Sequence, residues 1–272
     1  MKIKSVFDIF KDAFFFAIFV IMENSIWITG ASSGIGKALA LKFAKNNWKV
    51  AISARREELL KDIEKSNQNI KSFKLDIKNA EECKDVFSKI RSNFGDISVA
   101  VFCTGIHDPQ SEKTFNLAKI KEINDVNYMG TINSINSVYE YFKNKKNGHI
   151  SIVSSVAGYR GLPNAGAYCA SKSALNSFTE SLYFQLKDHN VRVSLVCPGF
   201  IKTPMTDQNE FPMPMIKSAE YAADKIYDGI VNKNIFEIHF PKSFTYLMKI
   251  IQLLPNWLYL SITNYGKKFS KK

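Results

Sequence analysis

Ser25-Ile-Trp-Ile-Thr29-Gly30-Ala-Ser-Ser-Gly34-Ile-Gly36 decides the fold. A short β-branched run ends in a glycine-rich turn, and an amphipathic stretch, Lys37–Asn46, follows it. Glycines at such a turn let the backbone approach a pyrophosphate, and the next helix aims its first amides at the negative charge. A Gly-rich turn alone is a modest signal; its place between a strand and a helix within a βαβ unit raises it. The residues expected to form the cradle are Thr29, Gly30, Ser32, Ser33, Gly34, Ile35 and Gly36.

Outward from this turn, strands and helices alternate. Lys49–Ala54 reads as a second strand and Glu57–Lys65 as a second helix. Ile70–Asp76, Val99–Phe102, His149–Ser154 and Arg192–Cys197 continue as strands with helical stretches between them. Such alternation predicts an α/β fold, a doubly wound parallel sheet with helices on both faces. With 272 residues, 46% of them apolar, and no internal repeat, the chain fits one sizeable domain. The expected division is a segment over 1–22, the nucleotide-binding domain over 23–240 and a C-terminal extension over 241–272.

At the end of the second strand, a carboxylate would suit a ribose 2′-hydroxyl. Here Ala54 is followed by Arg55 and Arg56. A guanidinium grips a 2′-phosphate with paired hydrogen bonds, whereas a carboxylate repels it. NADP(H) is therefore expected over NAD(H); otherwise the two arginines simply open a solvated helix. Asp76, after the third strand, is placed to accept a hydrogen bond from the adenine amino group.

Tyr168-Cys-Ala-Ser-Lys172 puts a phenol and an ammonium on one helix face, since residues four apart are neighbours. The ammonium favours ionisation of a phenol whose ordinary pKa of about 10 is too high for a base at neutral pH. The same spacing recurs at Tyr139/Lys143, Tyr141/Lys145, Tyr183/Lys187 and Tyr221/Lys225, which read as surface pairs. Only Tyr168 has Ser155 thirteen positions upstream, where Ile150-Ser-Ile-Val-Ser-Ser155 reads as a buried strand running into a loop. The strand end and the helix face can converge there, and the serine hydroxyl can hold the oxygen of a reacting carbonyl or alcohol.

These residues, in this order, resemble the short-chain dehydrogenase/reductase family over about Asn24–Phe240. Thr29-Gly30-xxx-Gly34-x-Gly36, Ser155, Tyr168-xxx-Lys172 and Pro198-Gly199 carry the resemblance, and Asn127 matches the asparagine that completes that family's catalytic tetrad. The resemblance implies a Rossmann-type sheet in a three-layer αβα arrangement and metal-free interconversion of carbonyls and alcohols. It also implies site roles. Tyr168 would be the general acid or base, and Lys172 would stabilise its phenolate and bind the nicotinamide ribose. Ser155 would hold the substrate oxygen, and Asn127 would anchor a water that links Lys172 to solvent. Pro198, Gly199 and Thr203 would hold the nicotinamide end. One departure stands out: the family usually shows Asn-Asn-Ala-Gly after the fourth strand, and this chain has Phe102-Cys103-Thr104-Gly105. Gly105 keeps the close approach to the cofactor, but both asparagines are gone.

After Thr203 comes Pro204-Met-Thr-Asp-Gln-Asn-Glu-Phe-Pro-Met-Pro-Met215, whose three prolines predict a kinked loop. Met205, Phe211, Met213 and Met215 would make an adaptable apolar wall over a lipid-like ketone, aldehyde or alcohol. The same residues would also serve to bury the loop against its own domain. Two function classes follow. One is an NADP(H)-dependent oxidoreductase acting on a small-molecule carbonyl or alcohol; the other is a non-catalytic NADP(H)-binding regulatory or scaffold protein on the same fold.

Four scattered cysteines (Cys83, Cys103, Cys169, Cys197) and four scattered histidines (His107, His149, His189, His239) predict neither a disulfide framework nor a metal site. The histidines are expected in loop or surface roles. A reducing, cytoplasmic compartment follows from the cysteine usage. The net charge of +12 fits a solvated surface, a polyanionic cofactor or an anionic membrane face, whereas nucleic acid lacks a recognition motif.

Both ends fall outside the alternating pattern. The ten-residue apolar run Ala13–Met22 is shorter than the roughly 20 residues a spanning helix needs. It reads as a membrane-surface helix, a short anchor, or a stretch upstream of a start at Met22. In the C-terminal segment, Leu247, Ile250, Ile251 and Leu254 follow helical spacing up to Pro255; Trp257, Tyr259 and then Gly266-Lys-Lys-Phe-Ser-Lys-Lys272 follow. Aromatics beside a basic end suit the inner face of a membrane, and packing on the domain or a subunit partner gives the same pattern. By the resemblance, a homodimer or homotetramer is expected.

Overall fold

A computed structural model describes residues 24–269. The segment read above as 1–22, with its three alternative roles, lies outside the described residues, as do Lys271 and Lys272.

Seven strands form one parallel sheet in the order β3-β2-β1-β4-β5-β6-β7. They are β1 Ser25–Thr29, β2 Lys49–Ala54, β3 Ile70–Lys74, β4 Val99–Phe102, β5 Gly148–Val153, β6 Val191–Pro198 and β7 Glu237–Phe240. The principal helices up to the last strand are α1 Gly34–Lys45, α2 Glu57–Ser66, α3 Ala80–Phe94, α4 Pro109–Lys113, α5 Leu117–Asn124, α6 Gly130–Lys145, α7 Gly166–Lys187 and α8 Ala219–Tyr227. Beyond the sheet come α9 Lys242–Gln252 and α10 Asn256–Phe269.

Strand alternation sorts the core into two layers. Ile26, Ile28, Val50 and Ile52 point to one face, where Leu39, Phe43, Leu60 and Ile226 of α1, α2 and α8 cover them. Trp27, Ala51, Ala100 and Ile150 point to the other, against Phe87, Phe142 and Leu182 of α3, α6 and α7. Near-continuous apolar strands are what a sheet covered on both faces requires. The chain is thus a doubly wound, Rossmann-type single domain.

The expected strands all form, with ends that differ by up to two residues. The glycine-rich turn itself starts the first helix, at Gly34 rather than Lys37. Glu237-Ile-His-Phe240 was not read as a strand; two polar side chains in four residues hide the apolar pattern. Placement on the sheet also corrects the histidines. His149 and His239 are buried, the first bonded to Ser194 at 2.9 Å and the second to Thr245 at 2.6 Å. Burial pushes them down to about 3 and about 4, so both are neutral at physiological pH.

The C-terminal extension packs on the sheet layer. Phe244 and Met248 of α9 are buried against Val156 and Phe200. The helical spacing of the sequence is real, but Leu247 and Ile250 lie on the outer face of α9. Among the described residues, no helix is long and apolar enough to cross a membrane.

Candidate active site

A cleft of about 450 Å³ opens at the carboxyl ends of the strands. It sits where β1 pairs with both β2 and β4, the point at which the strand order reverses and ligands of such sheets bind. Buried Thr29 supports the turn from behind, its hydroxyl accepting the Cys103 N–H at 3.3 Å. Gly30 adopts φ +69°, and a Cβ there would stand 2.8 Å from the Thr104 backbone, so only glycine permits this approach of the two strand ends.

The turn residues Ser32, Ser33, Gly34, Ile35 and Gly36 line the cleft, as do Arg55, Arg56 and Asp76 across from them. Ser33 precedes α1 without capping it, and the first turn of α1 holds no acidic side chain. Its amides are therefore left to an external anion. Arg56 Nη2 instead donates to the hydroxyls of both Ser32 and Ser33, each at 2.8 Å. Uncapped amides beside a tethered guanidinium fit the phosphates of a dinucleotide. The Asp76 carboxylate accepts the Lys78 N–H at 3.1 Å at the same rim.

Ser155, at the end of β5, caps a 3₁₀ turn over Val156–Gly158 by accepting the Ala157 N–H at 3.1 Å. Tyr168 and Lys172 come from α7, and the Tyr168 hydroxyl is hydrogen-bonded to Ser155. Gly158 makes this convergence possible. A Cβ there would lie 2.6 Å from Asn176 Nδ2 and 2.9 Å from the Lys172 carbonyl, so the turn rests directly on the helix backbone. Lys172 is buried, with Nζ donating to the Val153 carbonyl at 3.0 Å.

The electrostatics differ from the expected ammonium–phenolate pairing. Burial dominates both groups, pushing Tyr168 up to about 12 and Lys172 down to about 8. Lys172 Nζ lies 5.7 Å from the centre of the Tyr168 ring. The Cys103 and Cys197 thiols beside Lys172 are themselves pushed up, to about 11 and about 12, and so bring no negative charge at neutral pH. At pH 7 the free site holds a protonated phenol and a mostly charged lysine.

Asn127 sits on a single π-helical turn, Asp125–Met129, between α5 and α6. Its amide clasps the loop after β4, accepting the Ile106 N–H at 2.7 Å and donating to the Ile106 carbonyl at 2.9 Å. It also donates to Ser171 on α7 at 3.1 Å, so it joins the two walls of the cleft from behind rather than lining it. Gly105, Pro198, Gly199 and Thr203 reach the cleft. The Gly199 N–H donates to Phe240 at the end of β7 at 2.8 Å, so the unforeseen strand braces the expected nicotinamide end.

Of the four residues expected to wall the substrate, only Met205 lines the cleft. Phe211 stacks edge-on to Phe200 with centroids 5.9 Å apart. The sulfurs of Met213 and Met215 face Asn209 and Ser243, each at 3.4 Å. The loop is closed at its base by a bridge between Ile201 and Lys217. Ile201, Val153 and Ile106 supply the apolar lining instead. His107 was not foreseen either: it lines the cleft with its ring centroid 4.7 Å from that of Tyr168. No motif marks it, and only the folding of its loop over α7 reveals it. The other four Tyr–Lys pairs do form ring–ammonium contacts, at 5.3 to 6.0 Å, and none of them lines the cleft.

With this geometry in place, the family profile for short chain dehydrogenase matches residues 24–212. The chain belongs to that family of oxidoreductases. An uncharacterized oxidoreductase of Myxococcus xanthus is 31% identical over 236 residues, 85% of this chain and 93% of that protein. Epidermal retinol dehydrogenase 2 of Mus musculus is 27% identical over 260 residues, 88% of this chain and 81% of the relative. Among solved structures, ElxO with NADP bound superposes with a TM-score of 0.72 at 27% identity, covering 80% of this chain and 96% of ElxO.

Proposed function

We propose that this chain is an NADP(H)-dependent oxidoreductase that interconverts a carbonyl and an alcohol on an apolar, lipid-like substrate, with Tyr168 as general acid and base. The observation that carries the reading is the Tyr168–Ser155 hydrogen bond beside buried Lys172, at the end of a cleft built for a dinucleotide. When bound, the reduced nicotinamide supplies the hydride.

The side chains manage the oxygen and its proton. Ser155 holds the carbonyl oxygen, and Tyr168, protonated at neutral pH, gives its proton to the alkoxide as it forms. In the opposite direction the phenolate takes the alcohol proton. Lys172 then lies close enough to stabilise the ionised phenol from a buried position, where a charge acts more strongly than in bulk. Asn127 keeps the Ile106 loop and α7 in register and stands next to the proton path. Pro198, Gly199 and Thr203 hold the nicotinamide end; Asp76 receives the adenine.

NADP(H) is favoured by Ala54 in place of a carboxylate and by the Arg56–Ser32–Ser33 cluster, and the NADP-bound ElxO structure is consistent with it. An apolar substrate is supported by Met205, Ile201, Val153 and Ile106 around the cleft and by the retinol in the mouse relative's name. Phe211, Met213 and Met215 would join the wall only if the loop moved on binding.

The test is oxidation of NADPH and NADH across a chain-length series of ketones and aldehydes, with Tyr168→Phe alongside. NADPH turnover should rise with substrate apolarity and fall by roughly 10²–10⁴-fold in the variant. Tight NADPH binding without Tyr168-dependent turnover in either direction would refute the catalytic reading.

A further inference from the structure

We infer that the outer face of α9 and α10 docks on an anionic membrane surface, holding the protein peripherally on the bilayer. Tyr246, Leu247, Ile250 and Leu253 of the α9 segment and Trp257, Leu260, Ile262 and Tyr265 of α10 are all half or more exposed, Leu253 at 84% and Trp257 at 71%. Eight large apolar side chains on two consecutive helices exceed the scattered apolar residues of an ordinary surface and mark a binding face. The opposite side of each helix is spoken for: Phe244 and Met248 of α9 and Tyr259 of α10 are buried.

The face is held rigidly. Arg160 donates to the Gln252 carbonyl at 3.4 Å and to Asn256 Oδ1 at 2.7 Å, and its guanidinium lies 4.5 Å from the centre of the Tyr259 ring. The Tyr259 hydroxyl donates to the Gly161 carbonyl. These contacts fix the corner between the helices to the body of the domain.

Charge selects the occupant. Residues 242–272 contain six lysines and no Asp or Glu. Lys249 pairs with Glu237 and Lys242 meets His239, whereas the four remaining lysines follow Tyr265 in the sequence with no acidic residue among them. A second copy of the chain would bring a segment of the same net positive charge and no carboxylate to answer it. An anionic headgroup layer complements the lysines, and Trp257, Tyr246 and Tyr265 are side chains that settle at such an interface. Neither helix crosses the bilayer, so the contact lies in the interface plane.

The docking does not depend on the catalytic reading, and the test needs no turnover. The full chain is co-sedimented with vesicles of phosphatidylcholine alone and of phosphatidylcholine mixed with phosphatidylglycerol, against Leu253→Ser/Trp257→Ser and Phe14→Ser/Phe16→Ser. Wild type should prefer the mixed vesicles, and the preference should weaken with salt as the charges are screened. The Leu253/Trp257 variant should bind at least about tenfold more weakly, which corresponds to about 1.4 kcal/mol, with an unchanged melting temperature. Equal partitioning of wild type and that variant would overturn the inference, as would failure of wild type to bind either vesicle. Loss of binding only in the Phe14/Phe16 variant would overturn it by assigning the contact to the upstream segment. A dimer in sedimentation velocity that the Leu253/Trp257 variant abolishes would assign the face to a second copy instead.

Discussion

Replacing Arg56 by alanine should change the cofactor preference and little else. Its Nη2 is anchored to Ser32 and Ser33 at 2.8 Å each, at the lining of the cleft. A hydrogen bond to a charged group contributes about 1.5–3 kcal/mol, and an exposed guanidinium sits toward the lower end because solvent screens it. Arg56 is exposed, so a loss of roughly 1.5–2.5 kcal/mol follows for a ligand bearing a 2′-phosphate. At about 1.4 kcal/mol per factor of ten, Kd for NADPH should rise roughly 10- to 60-fold. NADH, with a hydroxyl at that position, should lose less than about threefold. Titration of intrinsic or nucleotide fluorescence with both cofactors reads this directly, without any substrate. An equal loss for NADPH and NADH would mean that Arg56 only shapes the turn, and no loss for either would remove the phosphate from this side of the cleft. Arg55→Ala in parallel separates the two arginines, since Arg55 lines the same rim without the serine anchors.

Other outcomes follow from the same geometry. Gly158→Ala should cut turnover by about 10²-fold while NADPH affinity stays within about twofold, because a displacement of the order of an ångström misaligns Ser155 and Tyr168. Wild-type turnover in that variant would show that the turn yields without moving Ser155. Lys172→Met should abolish turnover yet raise the melting temperature at pH 7. Burial lowers the folded-state value of Lys172 to about 8 from 10.5, so below pH 8 the folded chain bears a penalty that the unfolded chain lacks. That penalty is on the order of 3 kcal/mol at most and shrinks as pH rises from about 8 toward about 10.5, where the two melting curves should converge. A variant that melts lower at pH 7 would contradict the sign.

Most of the cofactor half of the cleft was legible in the chain because its determinants are local. Thr29 to Gly36 is one strand end, one turn and one helix start; Gly36 answers to Gly30 within that unit and Gly30 to Thr104 one strand away, while Gly34 alone meets a distant residue, Thr203. The catalytic cluster was legible for a different reason. Ser155 lies two residues beyond a strand and Tyr168 two residues into a helix, so the elements themselves bring the two together once the sheet is parallel. The sign of the electrostatics was not legible. Spacing brings Lys172 near Tyr168, but whether charge or burial dominates depends on how completely Val153, Cys103 and Cys197 enclose the ammonium, a property of the packed site.

The substrate side failed in the sequence for a related reason. Met205, Phe211, Met213 and Met215 are alike in chemistry, and nothing in their order tells which one turns inward. The packed loop decides it: with Ile201 and Lys217 bridged at its base, Met205 lies at the cleft and Phe211 against Phe200. Phe200 in turn packs against Phe244 of α9, with ring centroids 5.4 Å apart, and Ser243 donates to the Met215 sulfur at 3.4 Å. The loop over the cleft therefore leans on the first turn of α9, whose outer face carries the exposed apolar side chains. Phe244 therefore serves two neighbours at once, the loop on one side and the core beneath α9 on the other, a role that no local pattern in either segment announces.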